Sequence, residues 1–259
     1  MYQIDLGGKK GLIFGVANNR SIAWAIAQIL SRAGAQLALA YQNERLRERV
    51  SKLAETLEGT LLLECDVTSD KQIDSVFKAV EERFGGLDFL VHSIAYASRE
   101  DLGGDFSRTG RESFRMALDI STYSLLPLAR HAASLMEING GGSIVTMTFQ
   151  ASERVFPGYN IMGTAKAALE NEVRQLAAEY GKRNIRVNAI SAGPLETLAA
   201  RGIPGFLDMK RLHAEKAPLK RNITLEEVAK AALFLCSDLS SGVTGSMIPV
   251  DAGYHIMGV

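Results

Sequence analysis

The stretch Lys10-Gly11-Leu12-Ile13-Phe14-Gly15-Val16-Ala17-Asn18-Asn19-Arg20-Ser21-Ile22-Ala23 passes from a short apolar run, through a glycine, into a helical pattern that Gly34 stops. Its apolar run does not alternate with polar residues. Phe89-Leu90-Val91 and Ile144-Val145 are continuous in the same way. Strands of that kind are buried on both faces, as parallel strands covered by helices must be. Outward from this stretch the chain alternates strands and helices throughout. Strands are expected at 10–16, 35–41, 61–65, 87–94, 143–148, 185–190 and 246–250. Helices are expected at 21–33, 44–57, 71–84, 161–180 and 225–237, with a long helical region over 113–137 interrupted near Pro127. The pattern implies a single Rossmann-like α/β domain, a doubly wound seven-stranded parallel sheet with right-handed crossovers and helices on both faces. Ligands of such sheets bind beyond the carboxyl ends of the strands.

Composition narrows the function classes. Among 259 residues, Lys+Arg and Asp+Glu are 29 each. That balance lacks the basic excess of a nucleic-acid binder. No apolar run reaches the roughly 18 residues that span a bilayer. Met1–Lys10 has neither an apolar core nor a cleavage-like site, so no leader is expected there. Cys65 and Cys236 have no C-x-x-C spacing and read as free buried thiols in a cytoplasmic protein. No metal site is expected.

The first turn suits an anion. Gly15 permits a tight path, and Ser21 stands at a helix start, where free N–H groups favour a pyrophosphate. The glycine pattern departs from G-x-G-x-x-G, and a plain strand–helix turn would read the same way. Gln42, at the end of the second strand, is neutral and suits ribose hydroxyls. No arginine stands there, although Arg45 and Arg47 follow, so NADH is expected, with NADPH as the alternative. Asp66-Val67, after the third strand, suits an adenine amino group and ring face; Asp66 as a turn residue is the other reading.

Tyr159 and Lys166 are seven residues apart. On one helix that spacing returns to nearly the same face after two turns. A lysine there would reach a nicotinamide ribose and favour the phenolate of a nearby tyrosine. A phenol so placed donates to an oxyanion formed during hydride transfer. Spacing alone also fits a core tyrosine beside a solvated lysine.

The sequence around the pair resembles the short-chain dehydrogenase/reductases, and within them the bacterial enoyl-[acyl-carrier-protein] reductases of type II fatty acid synthesis. The matching segments run end to end: Gly15-Val16-Ala17 with Ser21-Ile22-Ala23-Trp24, Tyr41-Gln42, Cys65-Asp66-Val67, Val91-His92-Ser93-Ile94-Ala95, Leu118-Asp119-Ile120-Ser121, Tyr159-Asn160-Ile161-Met162-Gly163 with Ala165-Lys166, residues 186–194, 234–239 and 250–253. The resemblance implies pyrophosphate and ribose contacts from Gly15, Ser21 and Ile22, adenosine contacts from Gln42, Asp66 and Val67, and nicotinamide packing by Ile94. It implies that Leu195, Glu196, Thr197, Leu198 and Ala199 close over the cofactor and that Lys166 binds its ribose. It implies that Ala97 and Tyr159 meet the substrate, and that a lid at about 195–220, with Leu198, Ile203, Phe206 and Leu207, covers the acyl chain. It further implies an acyl carrier protein as partner and a homotetramer, with Asp119, Ser121 and Tyr123 on a helix used for subunit contact.

Three departures from that pattern stand out. Phe149 occupies the position where many relatives have a second tyrosine, which implies a site more tolerant of long chains. Glu196 stands where a basic residue is usual and is expected to point to solvent. Ala25 replaces a usual glycine. His92 reads as a core or positioning residue, with a catalytic base as the second reading. The stretch Lys210-Arg211, Lys216, Lys220-Arg221 reads as a solvated helix face, with carrier docking as the second reading. A carbonyl reductase on the same scaffold, and a cofactor-binding protein with little catalysis, are the competing functions.

Overall fold

A computed structural model describes residues 4–258, so Met1–Gln3 of the leader reading lie outside it. The strands are β1 (Lys10–Phe14), β2 (Gln36–Tyr41), β3 (Leu61–Glu64), β4 (Phe89–His92), β5 (Gly142–Thr148), β6 (Ile185–Ala192) and β7 (Met247–Val250). The helices are α1 (Ile22–Arg32), α2 (Glu44–Ala54), α3 (Asp70–Phe84), α4 (Arg111–Leu118), α5 (Leu125–Ile138), α6 (Ile161–Tyr180), α7 (Phe206–Lys216) and α8 (Leu225–Cys236). All seven strands pair in parallel, in the order β3-β2-β1-β4-β5-β6-β7. The order reverses between β1 and β4, which places a crevice at their carboxyl ends.

The continuous apolar runs are explained by the two faces of the sheet. Ile13, Phe89 and Val91 enter one core, beneath α1 and α8, while Leu12, Phe14 and Leu90 enter the other. Successive residues of a strand point to opposite faces, so both kinds of position must be apolar here. Each of these side chains is at most 1% exposed, and full burial of one contributes about 1.5–3 kcal/mol. Among the described residues, no helix is long and apolar enough to cross a membrane. Cys65 and Cys236 are free and buried, and burial pushes each thiol up to about 12.

Two expectations change. The break in the helical region over 113–137 is not at Pro127. It is a π-helical turn, Asp119–Tyr123, and Pro127 lies in the first turn of α5, where its missing N–H costs no helical hydrogen bond. Ser121 does not face outward for subunit contact. It is fully buried, and its hydroxyl accepts from the Tyr96 N–H at 2.9 Å and donates to the Tyr96 carbonyl at 3.1 Å. Tyr123 does stay exposed.

Candidate active site

Gly15 closes the turn after β1 at φ +100°. A Cβ there would stand 2.0 Å from the Ser93 carbonyl oxygen, in the segment after β4. Only glycine fits so close an approach at that φ. The Ser21 hydroxyl accepts from the N–H groups of Ala17 and Asn18, both at 3.1 Å, which folds the turn onto the start of α1. Ser21 is the N-cap of α1, yet its side chain caps no helical N–H. The first N–H groups of the helix, beginning with Ile22, therefore keep an anion's place. This cradle, at the switch point of the sheet, fits the pyrophosphate of a dinucleotide.

The adenosine side is open. Gln42 is exposed at the end of β2. Asp66 is partly occupied by its own turn: its Oδ1 accepts from the Thr68 N–H at 3.0 Å and the Thr68 hydroxyl at 2.8 Å. That is the turn reading of Asp66, with the carboxylate half-buried beside Val67. Ile94 and Ala97 are half-buried in the segment after β4.

Tyr159 and Lys166 do not share a helix. Asn160, with φ +39°, interrupts the chain, and α6 begins one residue later. Tyr159 lies in the preceding turn, where its N–H donates to the Phe156 carbonyl at 3.0 Å. The two-turn argument for the pair therefore fails, yet both residues converge on the end of β5. Lys166 is buried on α6, and its Nζ donates to the Met147 carbonyl at 2.8 Å. The Tyr159 ring sits edge-on to Phe149, at 5.1 Å and 67°, and Phe149 packs on Phe156 at 4.6 Å. The relation comes from the strand that lies between them.

Burial pushes the Tyr159 phenol well above its ordinary value, so the free protein holds a neutral phenol, a proton donor. The predicted lowering by Lys166 is not what the structure shows. Burial pulls Lys166 down to about 8, while the nearby Glu170 carboxylate raises it. His92 is fully buried, with Nδ1 2.8 Å from the Thr146 hydroxyl and Nε2 2.9 Å from the Ser124 hydroxyl. Burial, aided by the charge of Lys166, pushes it down to about 3. It is a neutral core residue that ties β4 to β5 and to Ser124, the residue that precedes α5.

On the other side, Leu195 is buried, Thr197 is half-buried, and Leu198 and Ala199 are exposed. The Thr197 hydroxyl accepts from the Ala200 N–H at 3.2 Å. Glu196 does not simply point to solvent: it forms an ion pair with Lys210 on α7, which accounts for a carboxylate in this loop. Ile203 is half-buried and Phe206 buried, so Phe206 tucks α7 inward while Leu207 is exposed. The basic stretch is largely neutralised. Arg211 meets Asp208 and Glu215, and Arg221 meets Glu227 at 2.7 Å. That matches the solvated-face reading.

Sequence reasoning missed several positioning residues. The Thr122 hydroxyl donates to the Ala165 carbonyl at 2.8 Å, just before Lys166. The Asn160 amide donates to the Gly103 carbonyl at 2.6 Å. The Thr148 hydroxyl donates to Glu170 at 2.6 Å. Only a buried polar residue in an apolar helical pattern, such as Glu170, left a signal in the sequence.

The parallel sheet, the glycine turn at its switch point, and a buried lysine and a tyrosine that both meet the end of β5 define a dinucleotide-dependent short-chain dehydrogenase/reductase. The family described as "Enoyl-(Acyl carrier protein) reductase" matches residues 15–255, and the chain belongs to it. It is 51% identical to enoyl-[acyl-carrier-protein] reductase [NADH] 1 of Rhizobium meliloti, over 98% of this chain and 93% of that one. It is 50% identical to the NADH-dependent FabI of Nostoc, over 99% of this chain and 100% of the relative. The structure of the Bacillus cereus enoyl-acyl carrier protein reductase, solved with NADP+ and indole naphthyridinone, superimposes with a TM-score of 0.96 at 48% identity, covering 100% of both chains.

Proposed function

We infer that this chain reduces the enoyl group of an acyl chain carried as a thioester on acyl carrier protein, with NADH as cofactor, in fatty acid synthesis. The observation that carries the reading is the convergence of Tyr159, through Phe149, and Lys166, through Met147, on the end of β5, beside the Gly15–Ser21 cradle. Bound NADH supplies hydride to the β-carbon of the trans-2-enoyl thioester. Every other part belongs to this chain's own residues. Gly15, Ser21 and Ile22 hold the pyrophosphate; Gln42, Asp66 and Val67 hold the adenosine; Ile94 packs beside the nicotinamide. Lys166 donates to the ribose, using ammonium protons that Met147 leaves free. Tyr159 donates to the thioester carbonyl, where charge develops as an enolate. Because burial keeps that phenol neutral, its proton is available at the start of the reaction. A proton taken from solvent water at the α-carbon balances the hydride and completes saturation.

Residues 195–220 act as a lid, with Leu195 to Ala199 over the cofactor and Ile203 and Phe206 toward the acyl chain, near Ala97. Exposed Leu198, Leu207 and Leu212 support an apolar occupant there. Phe149 offers no hydroxyl at the site and widens tolerance for long chains. The protein works in the cytoplasm as a homotetramer. Exposed Phe114, Met116 and Tyr123 around the π-helical turn support subunit contact on that face. Light scattering tests this directly: a mass four times that of the chain agrees, and a monomer refutes it. The activity is tested by NADH oxidation with a trans-2-enoyl thioester, where silence despite NADH binding would sink the reading.

A further inference from the structure

Glu170 is 6% exposed, a position where carboxylates are rare unless partnered. Among the described residues its side-chain partner is one neutral hydroxyl, that of Thr148 at 2.6 Å. A single hydroxyl does not offset the burial of a negative charge. The same helix supplies the counter-charge. Lys166, 4% exposed, precedes Glu170 by four residues, and residues spaced so lie on one face of a helix. The end of β5 holds both. The Met147 carbonyl accepts from the Lys166 ammonium at 2.8 Å, and the next residue, Thr148, donates to the carboxylate. Anion and cation are thus fixed side by side on adjacent residues of one strand.

We propose that Glu170, held by Thr148, is a positioning residue that keeps Lys166 charged and in place for the cofactor ribose. This rests on the reading of Lys166 as the ribose ligand. The pair is not in direct ion-pair contact within 4 Å among the described residues. The carboxylate therefore acts through space and consumes no ammonium proton; of three N–H donors, one goes to Met147 and two remain for ribose hydroxyls. The charge balance agrees. Burial pulls Lys166 down to about 8, and Glu170 is what opposes that pull. His92 on β4, which feels the Lys166 charge, is pushed down to about 3 and adds none; Tyr159, which meets the end of β5 through Phe149, is raised and neutral; Arg174, one turn beyond Glu170 on α6, is exposed to solvent. Without Glu170, Lys166 would lose its proton at a lower pH.

The test is NADH binding to the free enzyme, followed by fluorescence from about pH 6 to about pH 9.5, for wild type, Glu170→Gln, Glu170→Asp and Thr148→Val. Glu170→Gln keeps the shape and an acceptor for Thr148 while removing the charge, so a merely structural role leaves the profile unmoved. In wild type, affinity weakens as pH rises through about 8. In Glu170→Gln the midpoint falls by about one pH unit, an approximately fivefold loss of affinity near pH 8 that approaches tenfold above about pH 9, with the low-pH limit retained. Glu170→Asp restores part of the shift, and Thr148→Val moves the midpoint in the same direction by less. An unchanged midpoint in a folded Glu170→Gln overturns the proposal, as does pH-independent NADH binding in wild type. If Glu170→Gln does not fold, unchanged midpoints in both Glu170→Asp and Thr148→Val overturn it. The binding readout is separate from turnover: a shifted midpoint with no enoyl reduction in wild type leaves the positioning role standing and removes the function, and the reverse result does the opposite.

Discussion

On the cofactor side of the crevice the geometry is held by main chain. Gly15 approaches the Ser93 carbonyl so closely that no Cβ fits, and the Ser21 hydroxyl gathers two N–H groups of the same turn. On the side proposed for the acyl chain, residues 195–220 are anchored by buried Leu195, Phe206 and His213, while Glu196 pairs with Lys210 and Leu198 and Leu207 stay exposed. A pyrophosphate is the same in every cofactor molecule, so rigid main chain suits it. Acyl chains differ in length, and the cover proposed for them at residues 195–220 leaves apolar side chains exposed to meet them. Between the two stands the end of β5, where buried hydrogen bonds hold Lys166 and Glu170.

This contrast breaks first at Gly15. Gly15→Val places a branched side chain against the Ser93 carbonyl at a φ that L-residues avoid. NADH affinity is expected to fall by more than about 100-fold, with lowered thermal stability, since a strained non-glycine residue costs about 1–3 kcal/mol before the clash is counted. Fluorescence titration and thermal unfolding check it; affinity within a few-fold of wild type would mean that the turn is not rigid.

A second, smaller effect concerns the buried centre. His92 is pushed down to about 3, against about 6.5 for an unfolded histidine. Below about 6.5 the unfolded chain binds a proton that the native state refuses, so stability falls as pH falls from there toward about 3. Between about pH 6.5 and about pH 5 this amounts to roughly 2 kcal/mol. Denaturant midpoints across that range should show the slope in wild type and lose it in His92→Gln.

On the acyl side smaller changes are expected. Phe149→Tyr adds a hydroxyl where the ring meets Tyr159 edge-on, and turnover should shift toward shorter chains by about two- to tenfold. Identical chain-length profiles would remove Phe149 from the account of specificity. Glu196→Gln breaks an exposed ion pair, and such pairs contribute little. A change of about threefold or less in KM for the enoyl thioester, with NADH affinity kept, is expected; a loss as large as that of Gly15→Val would erase the distinction between the two sides.

Much of this was legible in the chain because burial on two faces leaves a simple trace. The continuous run Leu12-Ile13-Phe14 announced a parallel strand, and the bounds of α6, Ile161–Tyr180, came directly from its pattern. The placement of Tyr159 was not legible. The seven-residue spacing invites a shared helix face with Lys166, although the helical pattern itself begins only at Ile161; Asn160 at φ +39° turns the chain before α6, a backbone choice with no periodic signal. The π-helical turn at Asp119–Tyr123 was credited to Pro127 for a related reason: proline is visible in a sequence, and a shift in hydrogen-bond register is not. The resemblance places Ser121 on a helix used for subunit contact, but its two bonds to Tyr96 join segments 25 residues apart. The partner of Glu196 lies 14 residues on, and only the folding of α7 onto the loop after β6 brings them together.

The most direct test follows NADH oxidation by nicotinamide absorbance, with a trans-2-enoyl thioester beside a matched 3-ketoacyl thioester, for wild type and Tyr159→Phe. The account predicts oxidation with the enoyl substrate alone, and a loss of about 100-fold or more in kcat on removing the hydroxyl, with NADH affinity unchanged. Oxidation with the keto substrate alone, or full enoyl turnover by Tyr159→Phe, would contradict it.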